Sequence, residues 1–138
     1  PNSRSARSAE IERFVLLADE DEIVNDLVAH RLARLGIASR QTTEGDEVEA
    51  LMQLPGVMAV VISASLSGKS GFELIAAARR PSLRAYIPII AVMWPGNSEQ
   101  VIRAFDSGAD DVVEKPFVPA ELIARINRLI RPRRRQYG

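Results

Sequence analysis

Short, wholly apolar runs alternate along this chain with stretches whose apolar residues recur every three or four positions. The run Phe14-Val15-Leu16-Leu17-Ala18 is too short for a helix and shows no in-out alternation, so it reads as a strand buried on both faces. The acidic cluster Asp19-Glu20-Asp21-Glu22 ends it. Ile23, Leu27, Val28, Leu32 and Leu35 then keep helical spacing up to Gly36, a C-terminal stop. Residues 37–42 predict a second strand, residues 44–54 a helix ended by Pro55-Gly56, and residues 57–62, the most apolar run, the central strand. A polar loop with Gly68 and Gly71 precedes a helix over about residues 72–80. Residues 88–92 predict a fourth strand with proline first, where a missing donor is tolerated. Asn97 or Ser98 can cap a helix running to Gly108, Val112-Val113 gives a brief fifth strand, and Leu122, Ile123, Ile126, Leu129 and Ile130 mark an amphipathic last helix after Pro119.

Five strands alternating with five helices predict right-handed crossovers and a doubly wound α/β fold around a parallel sheet. In such a sheet the functional crevice lies beyond the carboxyl ends of the strands. The acidic cluster, the loop at Ser63, the loop at Met93 and Lys115 all fall at those ends, and this convergence is the main argument for a site there.

Composition narrows the picture. A chain of 138 residues, 46% hydrophobic and 26% charged, suits one compact domain with its own core. The absence of cysteine excludes disulfides and thiolate metal sites and fits a reducing cytoplasm, the expected location. No apolar run approaches the roughly 20 residues that span a bilayer, and no signal-peptide pattern opens the chain. A formal net charge of zero argues against nucleic-acid binding by the domain as a whole, although residues 125–138 hold six arginines and no acid. The expected organisation is an arm or linker over residues 1–12, the folded domain over 13–131 and a basic tail or linker over 132–138. Both ends read as cuts from something longer. The arginine run reads as the solvated end of the last helix, with a membrane or nucleic-acid patch as the alternative.

From Phe14 to Arg131 the sequence resembles the receiver domain of bacterial response regulators. The resemblance rests on the acidic pair Asp19 and Glu20 after the first strand, on Gly71 closing the loop after the third, and on Gly108-Ala109-Asp110-Asp111 leading to Lys115-Pro116-Phe117. It implies a flavodoxin-like three-layer fold with strand order 2-1-3-4-5. It also implies phosphoryl transfer from a histidine kinase to an aspartate, with the acidic pair holding Mg²⁺ and the lysine meeting the phosphoryl oxygens. A Thr or Ser ending the fourth strand and an aromatic residue on the fifth would report the event. Three positions depart from that pattern. The acceptor position, eight residues before Gly71, is Ser63, and residues 62–71 contain no Asp or Glu. The switch hydroxyl falls on Met93 and the switch aromatic on Val112. The expected reading is therefore a degenerate, phosphorylation-independent receiver, not an enzyme, that mediates dimerisation or another protein interaction for an output domain. The alternatives are a phosphoacceptor using Ser63 or another residue, and a small-molecule sensor using the vacated pocket.

Ser63 has no evident base: a serine hydroxyl is a weak nucleophile until its proton is removed, and ordinary carboxylates do this poorly. It should instead bond a neighbouring backbone group or Lys115. Asp19 and Glu20, without a third carboxylate, should bind Mg²⁺ weakly at most, so no cofactor is expected; Lys115 can pair either acid directly. Trp94 either lies across the pocket or packs against the Pro95-Gly96 loop. His30 is a helix-surface residue rather than a phosphodonor. Asp111, Glu121 and Arg125 match charged positions at which some receivers dimerise through helix four, strand five and helix five; Arg103 can join them, and Arg125 is expected to face Asp111 across a two-fold axis. The expected partners are a second copy, a histidine kinase or an output domain, with no membrane and with nucleic acid only through an output domain.

Overall fold

The computed structural model describes residues 11–80 and 86–131. Of the arm expected over residues 1–12, residues 1–10 lie outside the described residues, as does the tail expected over 132–138. The elements are β1 (Phe14–Ala18), α1 (Glu22–Arg34), β2 (Ala38–Thr42), α2 (Gly45–Met52), β3 (Val57–Ser63), α3 (Gly71–Ala78), β4 (Ile89–Met93), α4 (Ser98–Ser107), β5 (Asp111–Glu114) and α5 (Pro119–Ile130). Each falls within a few residues of its sequence expectation. All strands pair in parallel in the order β2-β1-β3-β4-β5, the flavodoxin-like arrangement.

Local chemistry sets the helix boundaries. Asp21 caps α1 by accepting from Ile23 N at 3.0 Å. Past the end of α1, Gly36 takes φ +77°, a left-handed turn that a side chain would resist. Ser70 and Glu73 form a reciprocal capping box at the start of α3. Asn97 caps α4 by accepting from Gln100 N at 3.2 Å, and Pro119 opens α5 with its fixed φ.

Alternating strand residues feed two cores. Phe14, Leu16 and Ala18 pack with Val48 and Met52 of α2, Leu74 and Ile75 of α3 and Ala104 of α4. Val15 and Leu17 face the other way, against Val28 and Leu32 of α1 and Leu122 and Ile126 of α5. Both faces of the sheet are thus covered, which is why β1 and β4 are buried end to end. The strand order reverses between β2-β1 and β3-β4-β5, so the carboxyl ends of β1 and β3 flank the crevice where such folds place their sites.

Candidate functional site at the carboxyl end of the sheet

β1 delivers Asp19 and Glu20, β3 ends on Ser63, β4 ends on Met93 next to Trp94, and Lys115 follows β5. Asp19, Ser63, Met93 and Lys115 are all buried. The Lys115 ammonium lies 3.1 Å from the Asp19 carboxylate and 3.6 Å from Glu20 Oε2, so it pairs both acids. Burial pushes the Asp19 carboxyl above its ordinary range; the Asp21 backbone N–H donated to Oδ1 at 2.9 Å and the Lys115 ammonium partly offset that rise. The second Glu20 oxygen, Oε1, is buried with no hydrogen-bond partner among the described residues.

Ser63 is 1% exposed, and its Oγ accepts from Ser65 N at 3.2 Å. Of its two expected partners, the backbone is the one it meets. This bond curls the chain back just after β3, and Gly71 closes the curl. A Cβ on Gly71 would come within 2.4 Å of the Ser63 carbonyl oxygen and 2.8 Å of Ala64 Cα. A glycine is therefore required at 71 by close backbone approach, whatever chemistry the loop performs.

Asn25 escaped the sequence reading. It is fully buried on α1, and its side-chain amide donates to the carbonyls of Asp19 (3.1 Å) and Thr42 (3.0 Å). It thereby ties the ends of β1 and β2 together and fixes where the acidic pair begins. A signal was present: Asn25, Val28 and Leu32 share one helical stripe, and a polar residue on a core-facing stripe calls for a partner.

Trp94 does both things expected of it as alternatives only in part: its ring lies 5.3 Å from the Lys115 ammonium, at cation–π range, yet the residue remains 58% exposed. His30 is exposed on α1, as expected. Val112 of β5 is half-buried and packs against the α2-α3-α4 core.

Of the charged residues expected at an interface, Asp111, Glu121 and Arg125 pair with one another within the chain. Arg125 reaches Asp111 of its own molecule at 2.9 Å and Glu121 at 3.1 Å, and Arg128 approaches Asp111 at 3.5 Å. The reason is geometric: one turn of α5 puts Glu121 and Arg125 on the same face, and that face runs beside Asp111 at the start of β5. Arg103 stacks its guanidinium 4.2 Å above the Phe72 ring, linking α4 to α3.

The Gly108-Ala109-Asp110-Asp111 block divides its work between two clusters. Asp110 accepts from Ile89 N at 2.8 Å, from Arg79 at 2.9 Å and from the Tyr86 hydroxyl. Arg79 also donates to the carbonyls of Ile87 (2.7 Å) and Gly108 (3.0 Å). This network joins α3, β4 and the entry to β5 at the amino edge of the sheet, remote from Lys115.

Among the described residues no group of three or more His, Cys, Asp or Glu is arranged to hold a metal ion, and no helix is long and apolar enough to cross a membrane. The model of the family described as the response regulator receiver domain matches residues 15–127. The chain is 32% identical over 117 residues to the DNA-binding dual master transcriptional regulator RpaA of Synechocystis, covering 85% of this chain and 48% of that protein. It is 28% identical over 119 residues to the phosphate regulon transcriptional regulatory protein PhoB of Escherichia coli, covering 86% and 52%. The chain therefore spans about half the length of these curated relatives. The receiver domain of the Francisella response regulator 1452 matches with a TM-score of 0.78 at 27% identity, covering 86% of this chain and 97% of that one.

Proposed function

From the premise that the chain belongs to the response regulator receiver family of two-component signalling, we propose that it is a receiver that works without phosphorylation, as a dimerisation or protein-interaction module for an output domain. The observation that carries this reading is Ser63. At the acceptor position stands a buried hydroxyl already used by the Ser65 backbone, with no carboxylate between residues 62 and 71 to replace it. A hydroxyl in that setting needs a base, and the acidic pair that follows β1 is committed to Lys115. The pocket supports the same reading. Mg²⁺ is held by one or two carboxylates plus water and substrate oxygens. Here the ammonium of Lys115 competes for the same two carboxylates and the third side chain is a serine, so the donor set fits a tightly held Mg²⁺ poorly.

The surface formed by α4, β5 and α5 is the proposed contact. Ile102 and Phe105 of α4 are 58% and 47% exposed, and Arg103, Asp111, Glu121 and Arg125 supply its charged rim. A histidine kinase, an output domain or a second copy are the proposed partners, and the cytoplasm the proposed location.

Sedimentation with and without acetyl phosphate and Mg²⁺ tests the reading. The expected outcome is one association state, unchanged by the phosphodonor and weakened by Arg125→Glu. Association that appears only with the phosphodonor would overturn it.

A further inference from the structure

Beside the Lys115 ion pair, and outside it, lies a pocket that the proposed interaction role does not use. Its volume is about 220 Å³. That is below the roughly 300–1,000 Å³ of pockets for drug-sized ligands, and suits a molecule of one ring with a short arm. Val24 and Leu27 of α1 form one wall, Trp94 another, and Pro116, Phe117 and Pro119 the rest. Trp94 and Leu27 leave 58% and 49% of their surface to solvent, so an occupant that covers them removes apolar area from water.

Among the described residues, the charged side chains that line the pocket are Asp21 and Lys115. The Lys115 ammonium is already held by Asp19 at 3.1 Å and Glu20 at 3.6 Å, so it offers little to a ligand and repels little. Asp21 caps α1 with Oδ1, and its other oxygen has no partner among the described residues. Asp21 and Lys115 are the charges that line the pocket, and with Asp19 and Glu20, which hold the ammonium, they make three carboxylates against one ammonium, a net of −2. A cation is favoured by that field and an anion disfavoured. The rings of Trp94 and Phe117 also line the pocket, and indole, which already draws the Lys115 ammonium to 5.3 Å, is the strongest aromatic partner for a cation.

We propose that this pocket binds a small aromatic ammonium compound, its ring against Trp94, Phe117 and the α1 side chains and its cationic end on Asp21. The inference is independent of whether Ser63 takes up phosphate, and its readout involves no phosphoryl chemistry.

Trp94 is the single tryptophan of the chain, so its fluorescence reports directly on the pocket. Titration of the full chain with phenethylammonium should give a saturable change in Trp94 emission. Phenylacetate, of similar shape and opposite charge, should bind at least about tenfold more weakly, the scale of one charge-assisted hydrogen bond. Asp21→Asn keeps a good helix cap and should remove most of that preference. Val24→Phe, which fills the cavity, should abolish the response while the circular dichroism spectrum stays that of the parent. No saturable response to phenethylammonium, equal or tighter binding of phenylacetate, or a response untouched by Val24→Phe would overturn the proposal.

Discussion

The two ends of the sheet each hold an ion pair, half-buried at the amino edge and buried at the carboxyl end, and they are built on different terms. At the amino edge, Arg79 and Asp110 spend their hydrogen bonds on fixed backbone groups: the carbonyls of Ile87 and Gly108 and the N–H of Ile89. At the carboxyl end, Lys115 meets only the side chains of Asp19 and Glu20 and the open face of Trp94. One Glu20 oxygen there is buried without a partner among the described residues, and Asp19 is held above its ordinary pKa by burial. The first pair is a joint between elements. The second is a set of charges kept together at a cost. A saturated cluster stabilises a fold, whereas an unsaturated one marks a place built for something else.

The largest expected effect breaks the joint. Arg79→Met leaves two carbonyls without their donor and the Asp110 carboxylate without its cation, and should cost about 2–3 kcal/mol in urea unfolding. A loss under half of that would place the amino-edge pair among ordinary surface salt bridges. At the opposite end, the triple replacement Asp19→Asn, Glu20→Gln and Lys115→Met removes all three charges together, while the asparagine Oδ1 can still accept from the Asp21 N–H. It should change stability by no more than about 1 kcal/mol and can even raise it, because a desolvated pair is exchanged for neutral groups. A large loss would show that the carboxyl-end pair is structural after all.

A smaller effect is visible in pH. Because burial raises the folded-state pKa of Asp19 above its ordinary value of 3.8, the native state binds the proton more readily than the unfolded chain. Stability from this group is therefore present at low pH and is lost as pH rises from about 3.8 through the raised value. The wild-type curve minus that of Asp19→Asn should slope downward in that window and be flat above it. An upward slope would mean that Lys115 outweighs desolvation. The smallest effect concerns Trp94: with 58% of its surface exposed, Trp94→Ala should shift stability by only about 0.5 kcal/mol. A larger loss would show that the ring braces the ion pair.

Much of this was legible in the sequence, for physical reasons that differ by residue. Strands buried on both faces leave unbroken apolar runs such as residues 57–62, and turn chemistry at Gly36 and Asn97 announces itself locally. Asp19, Glu20, Ser63 and Lys115 were legible because a doubly wound fold brings every strand end to one edge. What periodicity could not give was the partner of a given charge. Arg79 and Asp110 stand 31 residues apart, and nothing local distinguishes Arg79 from its exposed neighbour Arg80. For the same reason the pairing of Arg125 with Asp111 of its own molecule, 14 residues away, was not legible.

The central claim is that the pocket does not take up phosphate. Intact-mass measurement after incubation with acetyl phosphate and Mg²⁺, beside a phosphorylation-competent receiver as control, tests it most directly. The account predicts a mass shift in the control and none in this chain. A phosphoryl adduct on the wild type that disappears in Ser63→Ala would contradict it.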